Sequence, residues 1–400
     1  MLLLRNVIQP SAWGPIDGLV PLVGCAATGD HQAELWVGTH ERGPSVVVGG
    51  DHDGRTLLEV IAEDPRTYLG PELAEAGVTA LPFLLKVLAI GEPLSLQAHP
   101  SAEQAEAGFV REEAASVAID SPDRTFRDRS PKPEALVALV ETWALCGFRV
   151  PLVAAELIEH LGVDALDPLV AALRAEGPDG LCKGFAWLLH LTGEERHRVA
   201  STVAAAAVDA TAGYEDRADP RWWVARLAAD HPGDPTCVAP LLMELLALAP
   251  GEAVHLPAGN LHAYLQGAGV EIMTSSDNVL RGGLTEKHID IDGLLDVLHF
   301  EPGVPARPVA ATDGQTVSYE CGEPAFRLTR IDPAAGPASL APTGPSLLLA
   351  VLGEVDVAAI GGGVTVGHGD AVFVAPGEGP LLVTGAGTLW WATVGTAVSA

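Results

Sequence analysis

Three side chains in two short segments of this chain have the types and spacing of metal ligands. In LSLQAHP, Gln97 and His99 stand two residues apart on an expected strand, so both project from one face, as ligands of a single ion must. Alone, such a pair more often marks a partly buried polar face. The segment GEAVHLPAGNLHAY carries more weight. Gly251, Pro257, Gly259 and His262 fit the spacing G-x5-P-x-G-x2-H, in which glycines and proline form a tight hairpin that aims the histidine inward. An ordinary hairpin with an incidental histidine is the plainer alternative. Two imidazoles with a carboxylate and an amide oxygen suit a zinc ion. His255 alternates differently and reads as structural.

Lysine usage is an independent pointer. Only four of the 23 basic side chains are lysines: Lys86, Lys132, Lys183 and Lys287. Lysine kept in a chain that so prefers arginine suggests a site wanting a compact ammonium whose pKa can move. Lys86, Lys132 and Lys287 fall in LLKVLAIGEPLSLQAHP, PKPEALVAL and SDNVLRGGLTEK, the segments that look most like site segments; Lys183 reads as a surface residue.

The elements that must position these residues follow from the apolar patterning. From Leu2 to Leu94, apolar runs such as AELWVGT and SVVVGG alternate with Gly, Pro and Asp clusters, which predicts mostly short strands and turns. Pro133 to Phe148 spaces Leu136, Val140, Trp143 and Leu145 near helical period between a starting proline and Gly147, which predicts a helix. Ala- and Leu-rich text from Val150 to about Cys237 predicts a helical insertion. PLLMELLALAPG predicts one more short helix, and Arg307 to Ala400 alternates again as a β-sandwich or jelly roll.

Composition narrows the classes. With 400 residues, nearly half of them hydrophobic, the chain can bury a sizeable core. A formal net charge of −29 disfavours nucleic acid or an anionic membrane as partner, so an anionic substrate must be small and met by a local basic pocket. Five cysteines, far apart and without a CxxC pair, suggest reduced thiols in a cytoplasmic protein. The opening MLLLRNVIQPSAW is too short an apolar patch for a secretory core, and no run approaches 18 apolar residues.

Taken together, LPFLLKVLAIGEPLSLQAHP, KPEALVAL, VHLPAGNLHAYLQGAGVEIM and SDNVLRGGLTEKHID, with ELWVGTHERGPS upstream, resemble the type I phosphomannose isomerases of the cupin superfamily, in the right order from about Trp13 to Asp290. The resemblance implies a zinc-dependent aldose-ketose isomerase that interconverts mannose 6-phosphate and fructose 6-phosphate through an enediol. It implies one zinc per chain, bound by Gln97, His99, Glu134 and His262, with Arg281 as the functional arginine. It also points to Ser95, Lys86, Lys132, Tyr264, Glu271, Asp277 and Lys287 as pocket residues. Of these, Lys132 or Glu271 would move the proton, and Lys287 with Ser95 or Lys86 would take the phosphate. The implied fold is mainly β: a cupin-type barrel or jelly roll over 1–149 and 238–306, interrupted by a helical domain over 150–237 and followed by a β domain over 307–400. A cytoplasmic monomer acting on a small sugar phosphate, with neither nucleic acid nor membrane as partner, is the matching expectation. One place departs from the family pattern: Ser130 and Pro131 precede Lys132 where a histidine is common, so a mechanism here cannot rest on that histidine. The rivals at this point are a different cupin metal activity, such as an iron-dependent oxygenase or another sugar-phosphate isomerase, and a sugar-binding or regulatory homologue without turnover, which would be expected to lack Arg281 or the lysines; an interaction scaffold would not need this set of ligand-type residues.

Overall fold

Eight consecutive buried residues, Phe83–Ile90, form one strand. Its alternation sends Phe83, Leu85, Val87 and Ala89 into a cluster with Leu347, Leu349 and Phe373, and Leu88 and Ile90 into another with Leu136, Cys146 and Tyr264. Lys86 shares the second, inner face. A strand covered on both sides reads as an unbroken apolar run. In this computed structural model, which describes residues 1–175, 178–303, 307–308 and 310–395, that strand lies between Glu34–Val37 and the long strand His262–Thr274.

The long strand serves two layers. Its second half pairs antiparallel with Phe83–Ile90 and Glu134–Ala138; its start pairs with Thr142–Phe148 and with Gln97. The register shifts between Tyr264 and Gln266. Gly267, at φ 134°, passes so close to Thr142 that a Cβ would lie 2.5 Å from the threonine Oγ1. This bulge reverses the side-chain parity: even-numbered His262 and Tyr264 line the inner cavity before it, and odd-numbered Glu271 does so after it. The expected cupin-type sheets are therefore present, as two layers folded along this strand rather than as one continuously bonded closed barrel.

Three readings of local structure are corrected. Pro133–Phe148 is not a helix but two strands, Glu134–Ala138 and Thr142–Phe148. Both are buried on two faces, so the continuous apolar run imitates helical spacing. In PLLMELLALAPG only Ala239–Leu242 makes a helical turn, and Met243–Leu248 is a strand paired with Thr142–Phe148. The first ninety residues also hold helices at Leu57–Glu63, Pro65–Leu69 and Pro71–Glu75, the first closed by a Thr56–Glu59 capping box.

Among the described residues, five α-helices between Pro151 and Asp230 pack on the outer face of the second layer, where Leu145, Phe148, Leu261 and Ala263 meet Ile158, Phe185 and Val203. On the opposite side an eight-stranded sheet and a four-stranded sheet form the C-terminal sandwich. The eight-stranded sheet recruits Leu2–Arg5 and Val46–Val48 from the start of the chain. The expected domain boundary at residue 306 lies outside the described residues. No helix among the described residues is long and apolar enough to cross a membrane.

Candidate metal centre and active site

Strand periodicity delivers the ligands. Leu96 and Ala98 point into the helical cluster, which turns Gln97 inward, and His99 follows the strand end. Glu134 opens its strand on the inner face, and His262 begins the long strand. One ligand atom from each of His99, Glu134 and His262 lies within 4.8 Å of the others, all three side chains being buried. Gln97 is paired in register with His262 on one side and Arg281 on the other.

The tautomers are set for metal binding. His99 Nδ1 lies 2.8 Å from the Asn278 carbonyl, and His262 Nδ1 lies 3.1 Å from the Asn260 carbonyl. Each carbonyl accepts that N–H and leaves Nε2 with its lone pair toward the cluster. His99 Nε2 is 3.3 Å from Glu134 Oε1 yet has no hydrogen bond, a buried polar atom left without a partner. Burial, and next the charge of Lys132, push the His99 imidazolium down to about 4, so the ring is neutral at pH 7. Burial opposes ionisation of Glu134, but Lys132 and the imidazoles outweigh it and hold the carboxyl well below its usual range. Two imidazoles, one carboxylate and an amide oxygen fit zinc, and the orphaned Nε2 of His99 is the observation that asks for an ion.

Beside this cluster a cavity of about 890 Å³ is lined by Lys86, Ser95, Gln97, Lys132, Glu134, His262, Tyr264, Glu271, Arg281 and Lys287, so of the site residues expected from sequence only His99 and Asp277 lie off its wall. Its floor is a charge ladder. Lys132 Nζ reaches Glu134 Oε1 at 2.9 Å, and Lys86 Nζ sits 3.1 Å from Glu34 and 3.3 Å from Glu271. Tyr264 donates its hydroxyl to Glu271 at 3.1 Å, and Trp36 donates its indole N–H to Glu34 at 2.8 Å. Burial disfavours the Lys86 ammonium, but Glu34, Glu271 and Glu134 outweigh it and raise its pKa. Glu271 is raised by burial, against the pull of Lys86 and with the push of Glu134.

Arg281 differs from these. Among the described residues its guanidinium has no hydrogen-bond or ion-pair partner; burial, then Arg127, lower its pKa. Lys287, an exposed residue at the cavity, has its pKa lowered by partial desolvation and by Arg281, Arg42 and Arg127. Ser95 lines the same cavity, and Asp277 stands in an adjoining recess that shares Arg42, Arg281 and Lys287 with it. Arg42 contacts Asp277 at 2.5 Å and His40 does so at 3.4 Å. Burial would raise the Asp277 carboxyl, but His40 and Arg42 hold it down at about 2. Because the folded value is depressed, this contribution to stability is complete above about pH 4, the unfolded aspartate value, and is lost as pH falls toward 2. Asp277→Asn is therefore expected to shrink the acid-induced drop in thermal midpoint between pH 4 and pH 2. An unchanged drop would count against the Asp277 cluster as its source.

Glu34, Trp36, Arg42, Arg127, Asn278 and Asp234 were not singled out by the sequence. The first two carried a signal, since period two in ELWV places both on the face opposite Leu35 and Val37. Asn278 is wholly buried, accepts the backbone N–H of Arg127 at 2.7 Å and donates to the Asp128 and Ser130 carbonyls at 2.9 Å each, which pins the loop before Lys132.

A family model for the catalytic domain of type I phosphomannose isomerases matches residues 1–151. The chain is 33% identical over 391 residues to a mannose-6-phosphate isomerase of Escherichia coli K12, covering 96% of this chain and 97% of that one. It is 30% identical over 396 residues to mannose-6-phosphate isomerase 1 of Arabidopsis thaliana, covering 93% and 88%. A crystal structure of the Salmonella typhimurium mannose 6-phosphate isomerase bound to fructose 6-phosphate and zinc superposes with TM-score 0.91 at 31% identity, over 99% of this chain and all of that one.

Proposed function

The chain belongs to the type I mannose-6-phosphate isomerase family, and from that premise we propose how its residues divide the interconversion of D-mannose 6-phosphate and D-fructose 6-phosphate. The observation that carries the reading is the His99–Glu134–His262 cluster, with its unpartnered buried Nε2, opening on a cavity that offers an uncommitted guanidinium. Gln97, His99, Glu134 and His262 hold the zinc. When bound, the ion acts as a Lewis acid and orders the polar groups around the reacting oxygens.

The reaction moves a proton from C2 to C1 and another from O2 to O1, through an enediol. Negative charge builds on neighbouring oxygens, and Arg281, always protonated and planar, is placed to stabilise it with parallel N–H donors. One group must take the C2 proton and return it to C1 on the same face. Of the two candidates, Glu271 has one oxygen on Tyr264 and the other on Lys86, whereas Lys132 has one carboxylate partner and faces the metal cluster. We assign the transfer to Lys132 acting as the neutral amine, its ammonium proton having left to solvent through the cavity before it takes the C2 proton, with Glu271 holding Lys86 and Tyr264 in place. Lys86, clamped between two carboxylates, is a poor phosphate ligand, so the phosphate falls to Lys287 with Ser95 on the cavity wall, and Asp277 orients Arg42 near it. We also propose a monomer, and a cytoplasmic location that the five unpaired cysteines support.

A coupled nicotinamide assay of fructose 6-phosphate formation tests the reading. Turnover is expected to vanish on chelation and to return with one zinc per chain. Undiminished turnover in a metal-free sample would overturn it.

A further inference from the structure

Arg281 and Lys287 lie on one segment whose path is set from outside the catalytic sheets. The strand Leu280–Gly283 ends in a sharp kink: Gly283 has φ 128°, and Leu284, a buried leucine, has φ 54°. A side-chain-bearing residue in the left-handed region persists only where its surroundings hold it there. The holder is Asp234, which caps the short 3-10 turn Pro235–Val238 at the end of the helical layer. Its Oδ1 accepts the Thr236 N–H at 2.9 Å and hydroxyl at 2.7 Å and lies 3.4 Å from Arg196. Its Oδ2 accepts the Leu284 N–H at 2.9 Å, a donor shared with the Thr236 hydroxyl at 3.1 Å. The fit leaves no slack, since a Cβ on Gly283 would lie 2.0 Å from Thr236 Oγ1. Asp234 is buried and outside the main cavity wall, yet Leu284, Thr285, Glu286 and Lys287 all line it.

We propose that Asp234 is a positioning residue for the isomerisation: through the Leu284 N–H it directs the 284–287 segment and so places Lys287 beside Arg281, which makes the helical layer part of the sugar-phosphate site. This rests on the reading that Lys287 takes the phosphate. A carboxylate suits the task because its two oxygens tie two elements at once. An asparagine keeps a single acceptor oxygen, enough to retain the Leu284 bond.

The test compares Asp234→Ala, Asp234→Asn, Lys287→Met and the Asp234→Ala/Lys287→Met pair in the full chain, each assayed for zinc content, thermal midpoint, KM for mannose 6-phosphate, kcat and inhibition by inorganic phosphate. Asp234→Ala is expected to raise KM and the phosphate Ki roughly ten- to hundredfold with zinc retained, the size of effect that a displacement of about 1 Å produces. Asp234→Asn is expected to recover most of this. In the Lys287→Met background the same alanine change should add far less, because both act through one segment. If Asp234→Ala does not fold, Asp234→Asn and Thr236→Val replace it, and Thr236→Val is expected to raise KM severalfold. A lowered midpoint with unchanged KM in Asp234→Ala, or effects that simply multiply in the pair, would overturn the positioning role alone. An unchanged phosphate Ki in Lys287→Met would overturn the phosphate reading on which it rests.

Discussion

His99→Ala is expected to leave a folded chain that no longer retains zinc and turns over mannose 6-phosphate at roughly a thousandth of the parent rate or less, since Lewis-acid stabilisation is worth several kcal/mol at the transition state. The substitution removes one of two imidazoles from a cluster whose ligand atoms lie within 4.8 Å of one another. It leaves Glu134, His262 and Gln97 with too few donors for a closed site. Glu134→Ala should lose zinc as well but is the poorer test of mechanism. It strips buried Lys132 of its carboxylate at 2.9 Å, and breaking a buried ion pair costs about 3–5 kcal/mol in stability. His99 is neutral in the fold and leaves behind only an unpaired Asn278 carbonyl. The checks are zinc per chain by metal analysis, the thermal midpoint and steady-state turnover. Zinc retained at one per chain in His99→Ala would remove His99 from the ligand set.

The sequence made the metal cluster legible through short-range spacing. Gln97 and His99 share a face by period two, and the Gly251–His262 pattern names a histidine at a strand start. It could not show that Glu134 and Glu271 share the inner face with His262. Counting by twos from His262 along one strand puts Glu271 on the wrong side, and only the bulge at Tyr264–Gln266 brings it back. The same cause hid the strands of Pro133–Phe148. Sheets covered on both faces lose the alternation that distinguishes strand from helix, and what remained was the proline and glycine punctuation that a helix also uses. The helical layer was visible because amphipathic helices on one face of a sheet keep their period. Its grip on the Arg281 segment was not, because Asp234 and Leu284 are fifty residues apart and the bond that joins them runs to a backbone N–H.

Arg281→Ala is expected to bind zinc normally and to lower kcat about a hundred- to a thousandfold, the usual cost of removing one preorganised donor at a developing oxyanion. The expectation follows from what the side chain does not do. The two buried lysines of the cavity are committed: Lys86 to two carboxylates, Lys132 to Glu134. Among the described residues the Arg281 guanidinium has no such partner, although it is held partly out of water with Arg127 repelling it. A cation desolvated without compensation costs free energy in the resting protein, and the charge that appears on the substrate oxygens as the C2 proton leaves is what offsets that cost. An interaction made in this way strengthens toward the transition state, so the loss should fall on kcat more than on KM. Arg281→Lys should recover little, because a point ammonium on a flexible stem cannot reproduce two parallel N–H donors. Equal kcat in Arg281→Ala and the parent, with zinc at one per chain in both, would remove Arg281 from the oxyanion role.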